Sequence, residues 1–141
     1  IPVVEEEGST VRVLSGRFGG VEGAFQGKYV RATYLDVSLE PNAQWRYDSD
    51  PSYTLFVYLF SGQVRFAPED GLVDQKQAVL TTAGEQLWLQ AGPQGVLLIL
   101  LCGTPLHEPI AWGGPIVMHT REELNLAFRE LESGQFIKKR A

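Results

Sequence analysis

Few side chains in this chain are suited to catalysis or metal binding. The only histidines, His107 and His119, stand twelve positions apart among Pro105, Pro109 and Pro115, and do not form a close His-x-His pair. Imidazole and carboxylate donors converging from one wall would suit a transition metal. Glu108, beside His107, could add a third donor or serve as a general base. The simpler reading has Glu108 anchoring a loop by accepting backbone N–H groups, with His119 beside a helix cap. Asp48 and Asp50 are the other candidate ligands, but two carboxylates are few oxygens for a hard cation, and a solvated turn accounts for them. Cys102 is the single cysteine, which excludes an internal disulfide and any Cys-based zinc site. It closes the apolar run 96–102 and reads as a buried thiol behaving as a small hydrophobe. No Gly-x-Ser-x-Gly occurs to mark a nucleophilic serine. The stretch Gly19-Gly20-Val21-Glu22-Gly23 has no helix pattern after it to cradle a phosphate, and is expected to be a long loop. Catalytic, cofactor-binding and metal-ligating residues are therefore expected to be absent from this chain.

The elements that would have to position any site are mostly short strands. Residues 10–14, 29–40, 53–60, 63–66, 77–81, 86–90 and 95–102 read as β segments, punctuated by fifteen glycines and eight prolines. This spacing argues for a barrel or sandwich. Two of the runs, 53–60 and 95–102, are apolar on both faces and must be covered on both. One helix is expected at about 121–132. Thr120 and Glu123 match a capping box, and Glu122 and Glu123 suit the positive end of the helix dipole. Leu124, Ala127, Phe128 and Leu131 make one apolar stripe, and Gly134 can stop the helix in the left-handed conformation. The organisation is thus a linker or lead-in strand over 1–9, a barrel over 10–103, a helical extension over 104–136 and a basic tail over 137–141.

Composition narrows the function. With 141 residues, 44% hydrophobic and 21% charged, the chain is one globular domain with a substantial core. The net charge of −5 argues against nucleic acid, since only Lys138-Lys139-Arg140 clusters, at the terminus. The longest apolar runs are far short of the roughly 18 residues that suggest a membrane span. A basic-then-apolar leader is not apparent, so a cytoplasmic location is expected. The start at Ile1-Pro2 rather than at Met suggests a processed or excised piece.

The last third carries a distinctive stretch. Gly103-Thr104-Pro105-Leu106-His107-Glu108-Pro109 is followed by Gly114-Pro115-Ile116-Val117-Met118 and then Thr120-Arg121-Glu122-Glu123. This resembles the tail of pirin-like proteins, in which G-x-P-L-x-E-P leads through G-P-x-V-M into a T-x-E-E helix start. The likeness extends to residues 10–23 and 34–60. Pirins are two-domain cupins (bicupins), and this segment belongs to their second domain. The resemblance therefore implies an all-β, cupin-type barrel or jelly roll with one C-terminal α-helix.

Metal-binding cupins carry G-x5-H-x-H-x4-E-x6-G and then G-x5-P-x-G-x2-H-x3-N. Counting back from Gly62 places Leu55 at the glutamate, Asp50 and Asp48 at the two histidines and Asn42 at the glycine. In the second motif Gly84 and Gly92 fit, but Gln90 stands at the proline, Gly95 at the third histidine and Ile99 at the asparagine. All four ligand positions are substituted. In pirin-like proteins the N-terminal cupin holds an iron-type metal, and some members act as quercetin 2,3-dioxygenases or transcriptional co-regulators. The resemblance thus implies a non-catalytic, metal-free C-terminal domain that supports a metal-binding N-terminal cupin. The alternative is small-molecule binding or quercetin 2,3-dioxygenase-like oxidoreductase activity of the domain or its parent.

The motif frame also sets an expectation for faces. With Leu55, Val57, Leu59, Leu97, Ile99 and Leu101 inward, the barrel would be filled by aliphatic side chains. Phe56, Tyr58, Phe60, Val96, Leu98 and Leu100 would then point outward as a candidate interface. The helix stripe, with Ile110, Trp112 and Ile116, would cover one such face. The other would await the N-terminal cupin or a second copy of this chain.

Overall fold

The computed structural model describes residues 1–138; Lys139, Arg140 and Ala141, which complete the basic tail, lie outside the described residues. The chain forms two compact units, Ile1–Pro105 and Leu106–Ala141. The strands of the first are β1 (Val3–Glu6), β2 (Ser9–Ser15), β3 (Arg17–Phe18), β4 (Val21–Glu22), β5 (Ala32–Leu39), β6 (Gln44–Asp48), β7 (Thr54–Arg65), β8 (Val73–Asp74), β9 (Ala78–Leu80) and β10 (Gln86–Gly103). Eight of them join in one antiparallel sheet, ordered β1-β2-β5-β10-β7-β8, with β6 on β10 and β9 on β7. The small β3–β4 hairpin stands apart.

Two long strands let this sheet fold over on itself. The second half of β10 lies between β5 and the first half of β7. Its first half pairs with β6 and with the end of β7. The core lies between the two layers, where Val11, Val13, Leu35, Val37, Val57, Leu59, Leu89, Leu98 and Leu100 are wholly buried. This is the all-β barrel that the cupin resemblance implies.

The face assignment on β10 is corrected. Val96, Leu98 and Leu100 are core residues, not interface residues; Leu97 is 45% exposed, and Ile99 and Leu101 are half-buried on the opposite face. The cause is a register break between Ala91 and Val96. Leu87, Leu89 and Ala91 face inward before it, and Val96, Leu98, Leu100 and Cys102 after it. The extra residues change the inward set from odd to even positions, because strand side chains alternate with period two. The runs 86–90 and 95–102 are accordingly one strand with a bulge. On β7 the expectation of Leu55, Val57 and Leu59 inward agrees with their burial. A second irregularity leaves Phe60 unpaired between Leu59, opposite Leu98, and Ser61, opposite Leu97.

Other elements differ from the sequence reading for local reasons. Residues 17–22 form a hairpin rather than a long loop, because Gly19 (φ 54°) and Gly20 (φ 77°) take the left-handed pair that a tight primed turn needs. Strand β6 was not anticipated, although Trp45 and Tyr47 are buried between exposed Gln44, Arg46 and Asp48. Trp45 stacks against Tyr47 at 6.1 Å and meets Phe18 at 5.5 Å between ring centroids.

The second unit contains β11 (Ala111–Gly113), β12 (Ile116–Met118) and α1 (Arg121–Glu132). The capping box is formed: Thr120 Oγ1 accepts from the Glu123 N–H, and the Glu123 carboxylate accepts from the Thr120 N–H. Leu124 and Ala127 are buried, and the Leu124 and Phe128 side chains lie so close to Gly113 that a Cβ there would collide with them. Ile110 and Trp112 are 76% and 71% exposed.

The fold bend depends on Gly62, at φ 78°, where an added Cβ would stand 2.1 Å from the Gly95 carbonyl oxygen. Gly62→Ala is therefore expected to cost about 2–4 kcal/mol through backbone strain and overlap. Urea denaturation of the two proteins measures this directly, and an equal midpoint would show that the bend tolerates a side chain.

Candidate functional site

One end of the barrel opens where β6 and β9 finish and β7 and β10 begin. A cavity of about 290 Å³ lies there. Leu55, Leu87, Val79 and Phe66 supply its apolar lining, and Tyr53, Thr82, Trp88 and Gln86 also border it. Their placement follows from the strands. Leu55 and Leu87 are inward residues near the starts of β7 and β10, and Thr82 lies just past β9. Deeper positions on the same strands, such as Val57 and Leu89, are fully buried.

A buried polar group lies behind this mouth. Ser49, which lines the cavity, has its Oγ 3.3 Å from Cys102 Sγ. Cys102 is a free, buried thiol, as its apolar run suggests. Burial is the main reason the Tyr47 phenol is pushed up to about 12; a hydrogen bond with Thr33 opposes this and Cys102 adds to it. Tyr47 is thus a neutral phenol at physiological pH, able to hydrogen-bond but not to act as an anionic ligand.

Asp48 and Asp50 stay outside this mouth. Both are exposed. Asp48 Oδ1 accepts from Gln86 Nε2 at 2.8 Å. Asp50 Oδ1 accepts from the Ser52 N–H at 2.8 Å and from its hydroxyl at 2.6 Å, an Asx-type turn. Those bonds hold the Asp50 carboxyl below the usual range. The inward residues near the end of this segment are Tyr47 and Ser49, one place from each aspartate. Counting motif spacing misses this shift; the Trp45/Tyr47 alternation signals it.

The histidines belong to the second unit and do not meet each other as a pair of ligands. His119 Nε2 lies 2.9 Å from Glu108 Oε2, so Glu108 meets the imidazole rather than anchoring its loop through backbone N–H groups. The His119 N–H donates to Glu123 Oε2 at 3.1 Å, which places His119 beside the helix cap. His107 is exposed, with a left-handed φ of 53°. Among the described residues, no three or more His, Cys, Asp or Glu side chains come together as a metal-holding group. No helix among them is long and apolar enough to cross a membrane.

The family profile described as the Pirin C-terminal cupin domain matches residues 34–137. The chain belongs to the pirin family. It is 31% identical to human pirin over 142 residues, covering 95% of this chain and 48% of pirin. It is 34% identical over 138 residues to a pirin-like protein of Caulobacter vibrioides, covering 96% and 49%. The crystal structure of quercetin 2,3-dioxygenase from Acinetobacter baumannii superposes with a TM-score of 0.85 at 27% identity, over 96% of this chain and 47% of that one. The chain spans about half the length of the curated relatives it matches.

The metal that the cupin resemblance implies does not fit the donors of this pirin-type barrel. A transition metal needs imidazole, carboxylate or thiolate groups converging on one point. The mouth offers the Leu55 side chain and the hydroxyls of Ser49, Tyr53, Thr81 and Thr82, and the Tyr47 phenol buried behind it is neutral. The nearest carboxylates, Asp48 and Asp50, are exposed and spoken for by Gln86 and Ser52.

The contact most open to a pH test is His119 with Glu108. The hydrogen bond and the charge of Glu108 raise His119 above the ordinary histidine value. Because the folded value is raised, the pair's contribution is fully present below the unfolded value of about 6.5 and fades as pH climbs through the folded value. Glu108→Gln is expected to bring the His119 titration down toward about 6.5 in an NMR pH series. An unchanged midpoint would show that the contact does not form in solution.

Proposed function

We propose that this chain is the non-catalytic C-terminal half of a pirin-type bicupin, serving as structural support and interaction surface for a metal-binding N-terminal cupin. The observation that carries this reading is an apolar band on the outer face of the barrel. Leu101 lies opposite Phe56, and Ile99 opposite Tyr58, across β10 and β7. Phe60 and Leu97 extend the band at 53% and 45% exposure, and Tyr58 meets the Phe60 ring edge-on at 5.2 Å. A contiguous apolar surface on a small domain is a site of association. The candidate surface is thus Phe56, Tyr58 and Phe60 joined by Leu97, Ile99 and Leu101. The N-terminal cupin of the parent is its partner in this reading, and a second copy of the chain takes its place when that half is missing.

Iron-type metal and any quercetin 2,3-dioxygenase-like activity belong, in this reading, to the other half of the parent. The substitution of Leu55 at the glutamate position and the outward placement of Asp48 and Asp50 support that division. The parent works in the cytoplasm, a compartment in which a lone buried thiol such as Cys102 stays reduced.

Two outcomes follow for the chain by itself. After incubation with iron, zinc or copper and dialysis, elemental analysis is expected to find no stoichiometric metal, and quercetin is expected to elicit no oxygen uptake above a metal-free control. Turnover by the iron-loaded chain would overturn the division of labour. In sedimentation velocity the chain is expected to self-associate with rising concentration, and Ile99→Lys is expected to weaken that association at least tenfold. A clean monomer that also fails to bind a hydrophobic dye would remove the interaction surface from the reading.

A further inference from the structure

We propose that the barrel-mouth cavity is a binding site for a small, uncharged aromatic molecule carrying a hydroxyl or carbonyl group. The size of the ligand follows from the space. The cavity of about 290 Å³ sits at the lower end of the roughly 300–1,000 Å³ typical of small-molecule sites. The strands below it are closed by Val57, Leu59 and Leu89, all fully buried, so the ligand stays at the mouth. This suits one ring with its substituents rather than an extended ring system.

The charge of the ligand follows from the lining. None of the side chains that border the cavity is a carboxylate, an ammonium, a guanidinium or an imidazole. An ion drawn in from water would lose solvation without a counter-charge, a cost of several kcal/mol even after relaxation. Its aromatic character follows from Phe66 and Tyr53, two aromatic residues in the cavity lining against which a planar guest packs.

Its polar group follows from which hydrogen-bonding atoms remain free. Thr81 Oγ1 is spent on the Leu55 carbonyl at 3.3 Å, and the Ser49 hydroxyl on Asp50 and Cys102. Gln86 Nε2 is held by Asp48. By contrast, the Tyr53 and Thr82 hydroxyls have no side-chain hydrogen bond among the described residues, as the side-chain bonds around the cavity involve other atoms. A hydroxyl or carbonyl on the ring meets the Tyr53 and Thr82 hydroxyls, with the apolar surface of Leu55, Leu87 and Val79 behind it. This is a recognition site, for the hydroxyls that line it have no carboxylate, imidazole or amine in the lining to act as a base.

The test uses the whole chain with 4-methylphenol as probe and benzoate and benzylamine as charged controls, read by two-dimensional NMR. 4-Methylphenol is expected to give saturable shifts at the Leu55, Leu87 and Val79 methyls. The two charged analogues are expected to bind at least tenfold more weakly. Ala83→Trp places bulk at the exposed rim without touching the core, and is expected to lower affinity for 4-methylphenol at least tenfold. Thr82→Trp, at a neighbouring exposed position, is expected to do the same and guards against an idiosyncratic effect of one substitution. The proposal is overturned by any of three results: no saturable shift up to the solubility of the phenol, equal binding by both rim variants, or benzoate binding as tightly as 4-methylphenol. Each of these outcomes is independent of self-association and metal content, so failure here leaves the domain-half reading standing.

Discussion

The barrel is governed by a short irregularity, residues 92–95, in the middle of β10. Without it, one 18-residue strand would run straight through a small domain with a constant inward face. With it, the strand changes layer and exchanges its inward set. Gly95, at φ 76°, brings its Cα so near the Leu39 carbonyl that a Cβ would stand 2.6 Å from that oxygen. Gly62 makes the matching close approach from β7. Both glycines occupy the left-handed region where a side chain is strained. The two strands therefore turn together, and the core on either side of the turn is assembled from residues of opposite parity.

The same turn decides what faces the mouth. On the β6 side the inward residues are Trp45, Tyr47 and then Ser49; on the β7 side Leu55; on the β10 side Leu87 and Cys102. Set against one another, these make an interior of low polarity, with the neutral Tyr47 phenol buried behind the mouth. A tyrosine ligates a metal as its phenolate, and burial drives Tyr47 the other way, up to about 12. Carboxylates one position along, at Asp48 and Asp50, gain more from water and from local bonds to Gln86 and Ser52 than they would from the interior. None of the side chains lining the mouth carries a charge to meet an ion.

Much of this was legible in the sequence where the signal was local. Thr120 and Glu123, the spacing of Leu124, Ala127 and Phe128, and Gly134 announced a helix that the structure places over Arg121–Glu132. The strand content of the barrel and the buried Cys102 were readable from apolar runs between turns. The faces of β10 were not, because a motif frame carries the parity of its first half past the bulge. The phrase Gly92-Pro93-Gln94-Gly95 marks a break, but nothing in it reveals how many residues the ladder will skip. The cavity was hidden for a related reason. Tyr53, Thr82 and Trp88 come from three separate segments, and each by itself reads as a surface residue. Glu108 and His119 each stand out in the sequence, yet their pairing depends on the hairpin formed by β11 and β12 between them.

The outer band bears on why a barrel of this kind would form one half of a larger protein. If a partner removes roughly 400 Å² of apolar surface, the scale of a functional patch, the gain is about 10 kcal/mol at 25 cal/mol per Å² as an upper estimate. A free dimer loses between about 4 and 15 kcal/mol of that to translational and rotational entropy, so self-association by this face is of limited strength. A covalently linked half avoids most of this cost, since a short linker holds its partner at an effective concentration near the millimolar range. Phe56 and Tyr58, already half-buried against their own strands, add little cost in side-chain ordering when covered. A face with this balance suits a tethered barrel better than a diffusing one, and the relatives' twofold greater length agrees with that choice.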